Sequence, residues 1–417
     1  MAKPNFTLPN KPAIKSGSIL SYNYTDDFTF VPAELSFSRN GDATIVNSKN
    51  LIETVSANTP RIDYSDSLTE PSLLLEPQRT NLQLLSRQIS SYTYLNQVAV
   101  VDNSGTSPDG TINASLITPN TNNAAHYVGR NITGITASTP YVHSFFAKAN
   151  GYNKAVLYIN NIYNAFSVAI IEYDLSLGTV SILSGSPTST SIEDYGNGWY
   201  RCVCVNTSLA GASGTIRSYV YVNSSSNYAG DGTSGMYLWG YQLEAGSYAT
   251  SYIPTEGSTA TRLGETANNA GDVNVFNSEE GVLYAEIAAL ANDGTNRRIS
   301  ISDGSTSDRI VLGYTASSNQ LIVLVSSNSV SGVASLVNID NSLQFNKIAL
   351  KYKLNDFALW INGIEVLTDN SLNSPIGLND LSFEGADNLN DFYGKVKNLK
   401  VFNKALTDRE LEILTIQ

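Results

Sequence analysis

Two alternating runs of polar and apolar residues around Asn362-Gly363 constrain the fold of this chain most strongly. Residues 345–366 read FNKIALKYKLNDFALWINGIEV, and their period of two is that of strands with one buried face. Asn-Gly suits the two positions of a tight hairpin turn at which φ is positive. The segment therefore predicts an antiparallel hairpin and a sheet.

The last stretch, residues 392–417, predicts one further strand followed by one short helix. An alternating run, FYGKVKNLKVF, is followed by NKALTDRELEILTIQ. Thr407 is a suitable N-cap, and Arg409 and Glu410 then fall in the first helical turn.

These two segments resemble the laminin G-like, concanavalin A-like sandwich. Residues 360–363, WING, resemble the strand-turn signature of that family, and residues 401–406, VFNKAL, resemble its closing strand and helix start. The resemblance implies an architecture that binds surfaces and glycans more often than it catalyses reactions.

Length and charge narrow the classes of partner. A chain of 417 residues is too long for one ordinary hydrophobic core, so its length predicts a multidomain protein. With a net charge of -12 and no basic cluster with interleaved aromatic residues, we expect no nucleic-acid partner. No segment approaches the roughly 20 apolar residues of a spanning helix, so we expect a soluble chain without membrane insertion or secretory signal.

Residues 85–258 contain at least six strand-like runs separated by turns, which predicts a two-sheet sandwich of jelly-roll type. Ordered segments of this region, SLLLEPQRTNLQLLS, SPDGTINASLI, SFFAKANG, YGNGWYRCVCV and LWGYQLEAGSYATSYIPTEGSTATR, resemble a module common in bacteriophage virion proteins. That module is similar to jelly-roll carbohydrate-binding modules. With its leader, FSRNGDATIVNSKNLIETVSANTPRIDY, the resemblance covers roughly residues 35–262.

The predicted fold class is therefore all-β, with two β-sandwich domains after an irregular N-terminal segment. We expect a leader or virion-attachment segment at residues 1–84, a jelly-roll carbohydrate-binding-like module at 85–262, and a laminin G-like, concanavalin A-like sandwich at 263–417. Trp199, Trp239 and Trp360 lie in the recurring strand segments and are predicted core residues.

The sequence predicts no catalytic residue. Glu172 and Asp174 share a strand face, but the E-x-D-x-x-E pattern of concanavalin A-like glucanases is absent. Neither histidine, His126 or His143, accompanies a nucleophile elbow. Cys202 and Cys204 lie two residues apart on one strand, which disfavours a structural disulfide. With two histidines and no other Cys, a zinc site would have to draw on scattered carboxylates, so we expect none. We therefore expect a protein that is not an enzyme.

Calcium is the one cofactor that we expect as a possible ligand of loop carboxylates. The resemblance implies it, because jelly-roll binding modules and laminin G-like domains often bind calcium. The candidate ligands are Asp109, Glu244, Asp303 and Asp308. The alternative is that they are turn-forming residues, since Asp-Gly is above all a turn dipeptide.

Tyrosines are the candidate sugar platforms, because aromatic rings stack on the apolar faces of pyranoses. The chain has 24 Tyr and 3 Trp, and several tyrosines lie in or near polar loops. The predicted carbohydrate-binding residues are Tyr92, Tyr94, Tyr127, Tyr152 and Tyr163, and Tyr158 and Tyr228 share their setting. The alternative for each ring is packing or a subunit interface.

The resemblance implies a non-enzymatic bacteriophage virion protein, such as a tail or head fibre, a spike or a capsid decoration subunit. Its sandwiches would adhere to host surface polysaccharide, and its partners would be other virion proteins and copies of itself in a homo-oligomer, for example a trimer. It would be assembled into the virion in the host cytoplasm. The alternatives are a purely structural capsid or tail decoration protein without a ligand, and a polysaccharide depolymerase.

Overall fold

The computed structural model describes residues 18–23, 35–212, 214–224 and 226–416, and their regular structure is almost entirely β. One helix, α1 (Asp408–Thr415), and one 3₁₀ turn, Ile89–Ser91, are present in these ranges. The first strands in chain order are β1 (Ser18–Asn23), β2 (Ser36–Ser38), β3 (Ala43–Val46), β4 (Ile52–Val55), β5 (Arg61–Asp63), β6 (Ser72–Leu75), β7 (Arg79–Asn81), β8 (Tyr94–Asn96), β9 (Val98–Thr106), β10 (Ile112–Pro119), β11 (Asn123–Ala124), β12 (Tyr127–Ile135), β13 (Pro140–Asn150), β14 (Lys154–Asn160), β15 (Ala169–Asp174), β16 (Thr179–Ser184) and β17 (Ser189–Asp194). The others are β18 (Trp199–Thr207), β19 (Gly214–Val222), β20 (Tyr228–Ala229), β21 (Gly235–Ala245), β22 (Ala260–Arg262), β23 (Thr266–Asn268), β24 (Glu280–Ala289), β25 (Arg297–Ser302), β26 (Arg309–Tyr314), β27 (Gln320–Ser327), β28 (Val330–Asn338), β29 (Asn346–Lys353), β30 (Phe357–Ile361), β31 (Ile364–Asp369), β32 (Asp380–Ser382) and β33 (Gly394–Phe402).

The described residues group into two units. The central unit comprises Ala43–Thr54 and Gln78–Leu263. The terminal unit comprises the described residues of Met1–Asp42, together with Val55–Pro77 and Gly264–Gln417. The sequence-based ranges 1–84, 85–262 and 263–417 stay a prediction about domains.

The central unit is a sandwich of two six-stranded antiparallel sheets. Sheet 1 has the order β17-β18-β13-β21-β10-β9, and sheet 2 has the order β16-β15-β14-β19-β12-β8. Phe145 and Leu238 of sheet 1 pack with Leu157 and Val220 of sheet 2 in one apolar core. Alternate residues of each strand supply this core, which leaves the other face of each sheet for different side chains.

The terminal unit is a second sandwich. Sheet 3 has the order β31-β30-β29-β24-β33-β6-β5, with β1 also paired to β33, and sheet 4 has the order β28-β27-β26-β25-β32. Its core contains Leu283 and Leu399 of sheet 3 together with Leu312 and Val323 of sheet 4. The all-β class with two sandwiches is confirmed.

The local predictions near the end of the chain are also confirmed. Asn362 and Gly363 have φ values of 50° and 85° at the turn between β30 and β31. Thr407 caps α1, and its partner in the reciprocal capping box is Glu410. The predicted core residues Trp199, Trp239 and Trp360 are all buried.

Four buried charged side chains tie distant segments of the terminal unit together. Glu265 accepts hydrogen bonds from Arg39 Nη1 at 2.7 Å and from Arg61 Nε at 2.7 Å. Arg61 Nη1 also donates to Glu76 Oε2 at 2.8 Å. All four side chains are fully or almost fully buried. The network therefore joins the first residue of β5 and the residues that follow β2 and β6 to the segment that enters β23.

Among the residues that the structure describes, no helix is long and apolar enough to cross a membrane.

Candidate functional site

Strand β19 carries two kinds of side chain on its two faces. Ile216, Val220 and Val222 belong to the core of the central unit. Arg217 and Tyr219, which alternate with them, therefore lie on the opposite face of sheet 2.

The neighbouring strands add more tyrosines to this outer face. Tyr219 is opposite Tyr158 of β14, and Tyr221 is opposite Tyr127 of β12. Cross-strand partners share a face of the sheet, and Tyr94 of β8 joins them through its contact with the Tyr219 ring. We call Tyr94, Tyr127, Tyr158, Tyr219 and Tyr221 the tyrosine face.

The five rings form one contiguous aromatic surface. The ring centroid of Tyr219 lies 4.7 Å from that of Tyr127, 5.9 Å from Tyr94 and 5.9 Å from Tyr158. The centroids of Tyr127 and Tyr221 are 4.8 Å apart. Tyr219 and Tyr221 are nearly buried, whereas the other three rings are half-buried and reach solvent. Tyr94, Tyr127 and Tyr158 are therefore the rings that a ligand would meet.

Gly129 makes room for this arrangement. An added Cβ would lie 2.3 Å from Tyr219 Cδ1 and 2.8 Å from the Ser218 carbonyl oxygen. Such distances are far below van der Waals contact, so the Tyr219 ring occupies the space above a glycine.

Arg217 borders one end of the tyrosine face in a fixed orientation. Its Nε donates to Asn131 Oδ1 at 2.8 Å, and its Nη2 donates to the Tyr163 hydroxyl at 2.9 Å. Its Cζ lies 4.4 Å from the centroid of the Tyr94 ring. The guanidinium group is thus held by hydrogen bonds and a cation–π contact beside the aromatic surface.

Glu172 and Lys154 border the tyrosine face on the side of β15. Glu172 is opposite Val156, the β14 neighbour of Tyr221, and accepts a hydrogen bond from Lys154 Nζ at 2.6 Å. Both side chains are partly exposed. The aromatic surface is therefore bordered by ionic and amide groups that can bond sugar hydroxyls.

The phenol groups of Tyr127 and Tyr221 stay protonated near neutral pH. Burial raises the pKa of Tyr127, and the neighbouring Tyr219 raises it further. Burial also raises the pKa of Tyr221. Neutral phenols can both donate and accept hydrogen bonds.

The structure brings together three of the five tyrosines predicted from the sequence. Tyr94 and Tyr127 belong to the tyrosine face, and Tyr163 lies beside it through Arg217. Tyr92 is instead a core residue of the central unit. Tyr152 packs against Tyr228 at a centroid distance of 5.7 Å, outside the face.

Sequence reasoning missed Arg217, Tyr219, Tyr221 and Asn131. The signal was present in TIRSYVYV, where arginine and two tyrosines alternate with Ile and Val. The prediction considered tyrosines in or near polar loops, whereas these residues lie on a strand. In an alternating strand the polar face can itself be the binding surface.

The four carboxylates predicted as calcium ligands are held by protein donors. Asp109 and Glu244 in the central unit each accept at least three hydrogen bonds of 2.6–2.9 Å. In the terminal unit, Asp303 accepts two bonds from Ser305, and Asp308 accepts two from backbone N–H groups. Within the described ranges no group of three or more His, Cys, Asp or Glu side chains is placed to hold a metal ion. The calcium site stays a prediction.

The residues considered for catalysis occupy constrained positions. His143 is fully buried, and burial lowers its pKa to about 3. Hydrogen bonds from Ser176, outweighing the effect of burial, lower the pKa of Asp174. His126 is buried between two backbone carbonyl oxygens. Cys202 and Cys204 are free and buried.

Comparison with known proteins gives structural likeness only. No family model matches the chain. No curated protein matches it either.

Among solved structures, the CBM40 domain of the Ruminococcus gnavus IT-sialidase, bound to α2,3-sialyllactose, aligns over 35% of this chain and 92% of that one, at 16% identity and a TM-score of 0.29. Domain 4 of AbnA, a GH43 extracellular arabinanase from Geobacillus stearothermophilus in complex with arabinotriose, aligns over 40% and 82%, at 13% identity and 0.30. The Trypanosoma rangeli sialidase aligns over 76% and 62%, at 11% identity and 0.30.

Proposed function

We propose that this protein is a non-enzymatic adhesion protein that binds glycans of a cell surface through the tyrosine face. The observation that carries the proposal is the contiguous surface of tyrosine rings with Arg217 fixed at its border. Half-buried rings stack on the apolar faces of pyranoses, and the bordering Asn131, Arg217 and Glu172 supply donors and acceptors for sugar hydroxyls.

The biological setting follows from the sequence resemblance at residues 35–262. We infer a bacteriophage virion protein, such as a fibre, spike or decoration subunit, with host surface polysaccharide as its ligand and other virion proteins as partners. An open sheet face binds a sugar chain weakly, so a homo-oligomer that presents several copies together would supply avidity.

The test of glycan binding is retention of the full chain on polysaccharide extracted from candidate host cells. Tyr158→Ala should weaken retention about tenfold, because a stacked ring contributes about 1.5 kcal/mol. Tyr158→Phe should retain most of the binding, since the ring remains. Tyr248→Ala removes a half-exposed tyrosine of the same unit that lies beside Arg79, outside the face, and should leave retention unchanged.

Each rival function has its own outcome in this experiment. Equal retention of the Tyr158→Ala and wild-type chains would contradict binding through the tyrosine face. Loss of self-association in Tyr158→Ala, without glycan retention by either chain, would make the face an interface between copies and favour a purely structural decoration protein. New reducing ends in the same tubes would favour a depolymerase. Labelling of purified virions by an antibody to the chain tests the location.

A further inference from the structure

Two arginines lie on the outer face of sheet 4 in the terminal unit. On β25, Ile299 and Ile301 belong to the core, so Arg298 and Ser300 lie on the opposite face. On β26, Ile310 and Leu312 belong to the core, so Arg309 lies on that same outer face.

Both arginines converge on one glycine of the loop after β32. Arg309 Nη1 donates a hydrogen bond to the Gly385 carbonyl oxygen at 2.5 Å. A Cβ added to Gly385 would lie 3.1 Å from Arg298 Cδ and 3.3 Å from Arg298 Nη1. We call Arg298, Ser300, Arg309 and Gly385 the arginine niche.

Most hydrogen-bonding capacity of the arginine niche is unused. A guanidinium group has five N–H donors. Among the described residues, the Arg298 side chain donates no hydrogen bond, and that of Arg309 donates only the one to Gly385. The Nε atoms of both arginines and the Ser300 hydroxyl are buried without a partner in the described part of the chain. The Arg298 side chain nevertheless remains 19% exposed, so a ligand can reach its edge.

The carboxylates beside the niche do not satisfy these donors. Asp387 Oδ2 is 3.9 Å from Arg298 Nη1, beyond hydrogen-bond distance, and its Oδ1 accepts from the Leu389 N–H at 3.0 Å. The Glu384 carboxylate accepts from the backbone N–H groups of Ala386 and Asp387 at 3.0 and 3.2 Å. These acids shape the loop and leave the guanidinium edges available.

We propose that the arginine niche binds the carboxylate of an acidic sugar residue such as a uronate. Planar guanidinium groups pair with carboxylates through two parallel hydrogen bonds. Ser302 and Ser326 are the cross-strand neighbours of Arg309 and place hydroxyl groups beside the niche. The site is in a different unit from the tyrosine face and stands independently of the function proposed for that face.

The test uses the full chain with Tyr158→Ala, so that binding at the tyrosine face is weakened and contributes less. Calorimetric titration with trigalacturonate should show binding, and the neutral methyl ester of the same trisaccharide should not bind. Arg298→Gln and Arg309→Gln should each weaken trigalacturonate binding by about tenfold or more, since each removes charge-assisted hydrogen bonds. Arg409→Gln, an exposed arginine of α1, is the matched control and should change nothing.

Asp387→Asn distinguishes a ligand site from a structural ion pair. It removes a negative charge that competes with the ligand and should tighten trigalacturonate binding about threefold. A merely structural pair would gain nothing from this change. If Arg298→Gln fails to fold, Arg298→Lys, which keeps the charge and loses the planar fork, should still weaken binding.

Three results would overturn the proposal. One is the absence of trigalacturonate binding, or equal binding of the methyl ester. Another is acid-selective binding that survives both Arg→Gln changes. The third is binding of inorganic sulfate with the same affinity, which would remove the assignment to a carboxylate.

Discussion

At Gly129 the absence of a side chain decides the shape of the tyrosine face. A methyl group there would overlap the Tyr219 ring, which contacts the other four rings of the face. Gly129→Ala should therefore lower the free energy of unfolding by about 1–3 kcal/mol, the usual cost of overpacking, and weaken glycan retention. Urea unfolding and the retention assay measure the two effects.

Gly211→Ala is the control for this change, because an added Cβ at Gly211 meets no atom within 4 Å. That variant should unfold within about 0.5 kcal/mol of the wild type, as surface substitutions usually do. Equal stability and retention of the Gly129 and Gly211 variants would mean that the Tyr219 ring moves aside freely and that the face needs no fixed shape.

Individual residues also show which features of the fold and of the site could be predicted from the sequence. Thr407 and Asn362 were predictable because their signals are local: a cap acts within one turn, and a hairpin turn is set by two residues. Arg217 contacts Tyr94 and Tyr163, which are far from it in sequence, and strand pairing and a loop bring them together in the fold. Register between distant strands follows from the assembled sheet, so the membership of the site could not be predicted residue by residue.

At the scale of elements, short strands near the start of the chain complete the terminal sandwich. Strand β6 pairs with β33 and with β5, so residues 61–75 extend sheet 3. The sequence predicted an irregular segment there and gave no partner strand for it. Pairing of segments more than 300 residues apart leaves no periodic signal in either segment, which is why the all-β class was predictable and this edge of the sheet was not.

The buried charges at the ends of these strands should be essential for stability. Glu265→Gln removes the carboxylate that pairs with Arg39 and Arg61, and it leaves two buried guanidinium groups undercompensated. Breaking a buried pair in this way costs about 3–5 kcal/mol of unfolding free energy. Urea unfolding of the variant and wild-type chains measures the loss.

Glu412→Gln provides the comparison, since its pair with Arg409 on α1 is exposed. Exposed pairs contribute about 0–1 kcal/mol, so this variant should unfold almost as the wild type does. A loss at Glu265 no larger than that at Glu412 would show that the buried network is not a stabilising feature of the terminal unit.

At the scale of the whole molecule, the chain passes between the two units four times. Residues 43–54 belong to the central unit, whereas residues 55–77 belong to the terminal unit together with residues 264–417. One cut near residue 263 therefore does not follow the division of the chain into these two units. The jelly-roll and concanavalin A-like patterns could be predicted separately, because each depends on strands that are contiguous in sequence. The membership of the short segments 43–54 and 55–77 in one unit or the other depends on tertiary contacts alone.

A fragment of residues 263–417 should accordingly fail to fold as the terminal unit does in the full chain. It lacks Arg39 and Arg61, which leaves the buried Glu265 without its partners, and it lacks β6, which leaves part of the β33 edge unpaired. Trp360 is the only tryptophan of this fragment, so its fluorescence reports the unfolding of this sandwich directly. The fragment should show no cooperative urea transition, or one with a much lower midpoint than a chain of residues 35–417. A cooperative transition at the same midpoint in both would mean that the network and the β6 pairing add nothing, and that residues 263–417 are an independent domain.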